Sequence, residues 1–336
     1  MIWLDNSRIL AIFAVVLLHT AAGVVIGSDV GSETWWIGNL YDSFVRWCVP
    51  VFVMISGALL LDPSKKEDLK TFYLKRLSKI LIPLLFWSAF FLLWAAFKGE
   101  IKGEPLSLLD LAKRLLSGKP HYHMWFLYMI VILYLFTPFL RKIITSSTRI
   151  EIVVIASFTL LLSALNAISE KALPEKPTIF INWFLSYIPF FFIGYLIRAS
   201  DRSYPKRILW CAFIASFILT AIGCYSVAKK EGLNAGLYFY AYLSITVIPM
   251  SLSIMCILRS WSRPILNLNT TKKLSALTLG IYLVHPIFLE TIGHVGYGAL
   301  DFYPAVSIPL IAVVVFCFSL IVTWLINKIP YLARVI

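Results

Sequence analysis

Charge is scarce in this 336-residue chain: Asp, Glu, Lys and Arg make up 14% of it, where a soluble domain carries about 25%. With 60% of the residues hydrophobic, against about 45–50% in ordinary globular proteins, a water-soluble enzyme is excluded. Cysteine is sparse as well. The five present (Cys48, Cys211, Cys224, Cys256 and Cys317) sit in or beside apolar runs with no C-x-x-C pair, which argues against a zinc site or a disulfide framework and leaves them as packing residues. No Walker loop and no G-x-G-x-x-G fingerprint occurs, which argues against an ATP-driven pump. No internal repeat and no Pro/Gly/Ser-rich linker divides the chain, so residues 1–336 read as one membrane domain without an appended soluble domain. Acidic residues are the rarer sign, 17 against 30 basic. The basic residues fall in short clusters between apolar runs and not along one amphipathic face, so they read as topology signals and not as a nucleic-acid surface.

Apolar runs of spanning length lie near residues 8–27, 41–61, 79–97, 123–140, 151–169, 181–199, 208–228, 238–258, 276–295 and 305–326. Ten spans predict an all-α polytopic membrane protein with both termini on one side. Placing the termini in the cytoplasm puts twenty Lys and Arg in the inside segments, Lys65 and Lys66 among them, against nine outside, Lys171 and Lys176 among them, and leaves Arg46 within a span. The positive-inside rule selects that orientation. A cleaved signal peptide is disfavoured by Asp5 and His19 in the first run and by the nine spans that follow. The outside segment 98–122 spaces Leu106, Leu108, Leu109, Leu111, Leu115 and Leu116 among Asp110, Lys113 and Arg114, which predicts a short helix lying on the outer surface.

Ionisable residues inside spans are costly and by default face a bundle interior or a wet cavity. Arg8 and His19 are eleven residues apart, about three helical turns and about 16 Å along the axis, so they share a face. Arg8 then marks the cytoplasmic mouth and His19 mid-bilayer, with Asp5 one turn before Arg8 to steady it. A snorkelling Arg and a hydrogen-bonded interior His fit the same spacing. His285, beside Pro286, is expected at a similar depth, and Glu290, about 140° further round the helix, is expected among other neighbours. Arg46 requires an anionic or carbonyl partner. His121 and His123 have no carboxylate or Cys beside them in the sequence, and i, i+2 spacing splays side chains on a helix, so no metal site is expected there. Trp125 suits the aromatic belt and equally a ring that stacks on sugar. Arg76 and Lys79, one turn apart before the third span, suit both positive-inside anchoring and a phosphate clamp.

The chain resembles the membrane acyltransferases of acyltransferase family 3. The likeness covers most of its length and rests on Leu4-Asp5-x-x-Arg8 with the spacing to His19, Phe52-x-Met54-Ile55-Ser56-Gly57, Arg76-x-x-Lys79-x-x-x-Pro83, His123-x-Trp125-Phe126-Leu127, and Gly280-Ile281-Tyr282-x-x-His285-Pro286. Its size and Arg46 before Pro50 look like the branch that includes the enterobacterial common antigen O-acetyltransferase. The resemblance implies a ten-helix enzyme of the bacterial cytoplasmic (inner) membrane that moves an acyl group, most often acetyl, from cytosolic acyl-CoA to a glycan hydroxyl at the outer face. By the same resemblance His19 is the catalytic His, with Arg8 as its motif partner and Asp5 supporting Arg8. Arg76 and Lys79 are the acyl-CoA contact, Lys79 standing where the pattern more often has Arg, and Arg8 joins them at the mouth. Arg46, Ser56, His123, Trp125, Tyr282 and His285 carry over as cavity residues. Acetyl-CoA is then a co-substrate, no metal is required, and the partners are a lipid-linked or nascent surface glycan and membrane lipids. The rival reading, a transporter or flippase of an anionic or glycan-linked substrate, lacks an energy source and leaves the basic pair without a purpose.

Overall fold

Backbone N–H and C=O groups inside a bilayer must be satisfied within the protein, and for apolar runs of this length the helix does so. The computed structural model describes residues 1–64, 67–172 and 183–336, and among these residues it is helical with no strand. Lys65, Lys66 and Lys176, and the first two residues of the expected sixth span, lie outside the described residues. The helices are α1 (Ile2–Ile26), α2 (Glu33–Val45), α3 (Cys48–Leu60), α4 (Leu69–Lys102), α5 (Leu108–Leu116), α6 (Trp125–Ser146) and α7 (Arg149–Ala172). They continue as α8 (Trp183–Ala199), α9 (Lys206–Glu231), α10 (Leu233–Gly236), α11 (Val247–Arg259), α12 (Leu268–Ala276), α13 (Thr278–His294) and α14 (Pro304–Asn327). Among the described residues seven helical stretches are long and apolar enough to cross a membrane, with α2 and α3 forming one of them. The α12–α13 pair, bent by 60°, makes an eighth, and α8 and α11 are apolar but shorter. The protein is a polytopic all-α membrane protein.

α1 is the centre of the bundle, packed against α2, α3, α11, α12, α13 and α14. Its apolar residues are buried on every side (Ala11, Ile12, Val16, Ala21 and Val24 are inaccessible), as expected of a helix that is hydrophobic all round. α7, α9 and α14 instead expose large apolar side chains such as Phe158, Leu219 and Phe318, which is stable only against lipid. Several helix starts outside the apolar runs carry side-chain caps: Ser32, Asp68 and Asn267 accept from the amides of Trp35, Thr71 and Thr270 at 3.1, 3.1 and 2.8 Å. α4 ends at Gly103 in the left-handed conformation, φ +73°.

The expected surface helix in 98–122 is α5. It has a full capping box between Ser107 and Asp110, buries no residue, and exposes Leu108, Leu109, Leu115 and Leu116 beside Lys113 and Arg114. The Ser107 hydroxyl, then its amide, hold the Asp110 carboxyl below the usual carboxylate range.

Three departures from regular helix shape the interior. The second expected run breaks at Arg46-Trp47 between α2 and α3. The ninth bends at Leu277 and not at Pro286, which stays within α13. The eighth, expected as helix from 238, is helical only from Val247, after a 3₁₀ turn at Leu237–Tyr240 and irregular backbone through Thr246. Irregular backbone at that depth is tolerated where protein surrounds it. Here Ser244 caps the Val247 amide at 3.2 Å and Thr220 bonds Thr246 at 2.9 Å.

Candidate active site

A cavity of about 360 Å³ runs into the bundle from the end where α1 and α4 begin. Its mouth is lined by Arg8, Arg76, Lys79 and Ser275, its middle by Ser56, Tyr134 and His19, and its inner end by His123, Trp125, Tyr242 and Tyr282. Residues from six helices and two non-helical segments, the turn at His123 and the stretch at Tyr242, therefore converge on one space.

At the mouth, Arg8 lies 3.9 Å from Asp5, whose Oδ1 also accepts from the Ser275 hydroxyl at 2.9 Å. Asp5 stays off the cavity wall and steadies Arg8 loosely, with the Arg8 side chain partly exposed. Arg76 and Lys79 lie one turn apart on α4, and the Arg76 Nε–H is buried with no acceptor among the described residues. Three cations and an orphaned donor at the end of an apolar cavity suit an anionic group.

The centre is organised by a proline. Pro286 has no N–H, so the carbonyl of Tyr282, four residues earlier, lacks its helical donor. The His285 side chain replaces it: Nδ1 lies 2.7 Å from the Tyr282 oxygen and 3.2 Å from that of Ile281. Facing two carbonyls, Nδ1 must carry the proton, so His285 Nε2 is bare and accepts from His19 Nδ1–H at 2.8 Å, the two rings coplanar to within 1°. His19 is thereby fixed in the tautomer whose Nε2 is a free lone pair, on the side of the ring away from His285. His19 lines the cavity and His285, fully buried, stands behind it.

The inner end is aromatic. Trp125 stacks on Tyr242 (5.8 Å, 20°) and meets Trp183 edge-on, while Tyr134 donates to Ser56 Oγ at 3.3 Å. Arg46 does not reach the cavity. It is bound by Asp42, donates to the Tyr240 carbonyl at 3.4 Å, and lies over the Tyr240 ring at 4.0 Å. Asp42 precedes Arg46 by four residues, so that pairing was visible as a helical i, i+4 signal.

Tyr134 and Tyr242 carried no mark in the sequence, because an aromatic residue inside an apolar run reads as core. His121 and His123 also differ from expectation. They lie in the turn before α6 and not on a helix, so their Nδ1 atoms approach to 3.0 Å instead of splaying, and a carboxylate, Glu290 of α13, meets His121 Nε2 at 2.8 Å.

A family model described as an acyltransferase domain matches residues 1–328, and the chain belongs to that acyltransferase family. It is also similar to the nodulation protein NolL of Mesorhizobium japonicum, 24% identical over 225 residues that cover 65% of this chain and 52% of that protein. The chain thus spans about half the length of that relative. No solved structure matches it significantly.

Proposed function

We propose that the protein transfers an acetyl group from cytosolic acetyl-CoA to a hydroxyl of a lipid-linked or surface glycan on the outer side of the bacterial inner membrane. The observation that carries this reading is the single cavity joining a three-cation mouth to the bare Nε2 of His19. The charge distribution of the loops supports a cytoplasmic mouth. There Arg8, Arg76 and Lys79 hold the phosphates of the coenzyme, which cannot enter hydrocarbon cheaply, while the slender pantetheine arm follows the cavity inward. The acceptor arrives from the far side past Trp125 and Tyr242. Both substrates then meet within the one membrane domain, and no metal takes part.

His19 Nε2 takes the proton of the attacking hydroxyl as its oxygen adds to the thioester carbonyl. The imidazolium so formed keeps its Nδ1–H on His285, and it returns the Nε2 proton to the thiolate as the C–S bond breaks. Proton and charge balance within the cavity, and no acyl-enzyme is formed. Arg76→Ala is expected to weaken acetyl-CoA binding about 10- to 100-fold, the loss of a charge-assisted contact, measured by equilibrium binding of the radiolabelled donor to the detergent-purified protein. Absence of acetyl-CoA binding by folded wild-type protein overturns the reading.

A further inference from the structure

A second opening lies at the end of the bundle where α1 begins, and acyl transfer makes no use of it. It is a groove of about 400 Å³ lined by Lys206 and Trp210 of α9, by Ile257 of α11, and by Trp261, Ser262 and Arg263 in the segment that follows α11. α1 pins that segment in place. Asn6, buried two residues before Arg8, donates to the Arg263 carbonyl at 2.7 Å and accepts from the Ile265 amide at 3.3 Å. The Arg259 guanidinium donates to the Arg202 carbonyl at 3.1 Å, which joins the end of α11 to the residues before α9.

Charge here is of one sign. Lys206 and Arg263 form no ion pair among the described residues, and Arg202, Arg207 and Arg259 belong to the same two stretches of chain. Between Asp201 and Glu290 the one acidic residue is Glu231, at the far end of α9 and about 38 Å along its axis from Lys206. Unpaired cations on neighbouring segments repel one another, and an anion between them relieves the repulsion.

The apolar part of the groove continues along α9. Trp210, Ile214 and Ile218 follow Lys206 at four-residue spacing and are exposed, so they form one row on a helix long and apolar enough to span the bilayer. An indole at the end of such a row stands at headgroup depth. A ligand that meets both features has an anionic head beside Lys206 and Arg263 and an apolar chain that runs past Trp210. A soluble anion meets the first feature alone.

We propose that this groove binds one anionic phospholipid from the leaflet on the side of the cavity mouth, its phosphate held by Lys206, Arg263 and the Ser262 hydroxyl and one acyl chain lying along Trp210, Ile214 and Ile218. The lipid joins α9 to the segment after α11 and, through Asn6, to the start of α1, so its binding stabilises the end of the bundle that carries Arg8.

The test uses the full-length protein in neutral detergent micelles, with added phosphatidylglycerol, phosphatidylcholine or inorganic phosphate. Phosphatidylglycerol is expected to raise the melting point by about 2–4 °C, and the two other additions to leave it unchanged. Lys206→Gln and Arg263→Gln are each expected to weaken phosphatidylglycerol binding about fivefold, whereas Arg114→Gln on α5 leaves it as in wild type. Phosphatidylglycerol brominated on its acyl chains is expected to quench tryptophan fluorescence more than brominated phosphatidylcholine does, with the excess lost in Trp210→Phe. Equal responses to the two lipids, or unaltered phosphatidylglycerol affinity in the Lys206→Gln/Arg263→Gln double variant, overturn the proposal. Stabilisation by inorganic phosphate equal to that by phosphatidylglycerol makes the groove a soluble-anion site and overturns it as well.

Discussion

Replacing His19 by alanine is expected to lower acetyl transfer 10²–10⁴-fold while leaving acetyl-CoA binding within a few-fold of wild type, because the cations that hold the coenzyme lie at the mouth of the cavity and His19 lies deeper, at its middle. In barrier terms that is about 3–5 kcal/mol. His285→Phe is expected to cost less, since it preserves packing but removes the acceptor that holds His19 Nδ1–H at 2.8 Å and frees the imidazole to adopt the unproductive tautomer. The order wild type, His285→Phe, His19→Ala in kcat, with little change in donor affinity, is the pattern that general-base action by an oriented imidazole produces. Turnover that survives in His19→Ala excludes that role. A stable label transferred from acetyl-CoA to wild type in the absence of acceptor, and lost in His19→Ala, replaces direct transfer by an acyl-histidine route.

Gly57→Ala and Gly194→Ala are expected to be the most destabilising single-methyl additions in the protein. At the crossing of α3 and α8 a Cβ on Gly57 meets the Phe191 carbonyl oxygen at 1.9 Å, and a Cβ on Gly194 meets that of Met54 at 1.9 Å. Both obstacles are backbone, so no rotamer relieves them and the helices must part. Transmembrane helices gain little from burying apolar surface out of lipid and depend on close backbone approach at small residues, so separation forfeits the packing that holds this pair. Losses at or above the 1–3 kcal/mol typical of overpacking are expected. Because α3 also carries Phe52 and Ser56 into the cavity wall, activity should fall with stability. Gly23→Ala supplies the control: it lies within α1 with nothing within 4 Å of the added Cβ, and the helix preference of Ala over Gly makes it neutral or stabilising by up to about 1 kcal/mol. Thermal unfolding of the solubilised protein, followed by tryptophan fluorescence, distinguishes the two cases. A Gly57→Ala melting point within 2 °C or so of the Gly23→Ala value would falsify the backbone-contact account.

The site was partly legible in the sequence and partly hidden, for reasons that differ residue by residue. Arg8 and His19 were readable because one helix sets their relation: eleven residues at 3.6 per turn return to the same face whatever surrounds them. Arg76 and Lys79 were readable on the same ground. His121 and His123 were misjudged in orientation because i, i+2 spacing splays side chains only if the residues are helical, whereas they lie in a turn where the Phe91 ring of α4 and the Glu290 carboxylate of α13 both meet His121. Tyr242 was hidden because an apolar run predicts helix, whereas its segment is irregular and bonded to α9 through Thr246.

By itself, then, the sequence determined the membrane environment, the helical class and the likeness to an acyltransferase family, since these follow from local composition, period and short-range motif, whereas ten spans were expected and seven or eight stretches of spanning length are found among the described residues. Only the tertiary structure decided that His19 and His285, 266 residues apart, share a hydrogen bond, that Pro286 serves a side chain instead of a kink, that Arg46 stands behind the cavity, and that Glu290 reaches His121. Which polar group meets which depends on the rotation of each helix and on where two backbones touch, as at Gly57 and Gly194. Those are properties of residues remote in the chain, and no window of the sequence contains both partners.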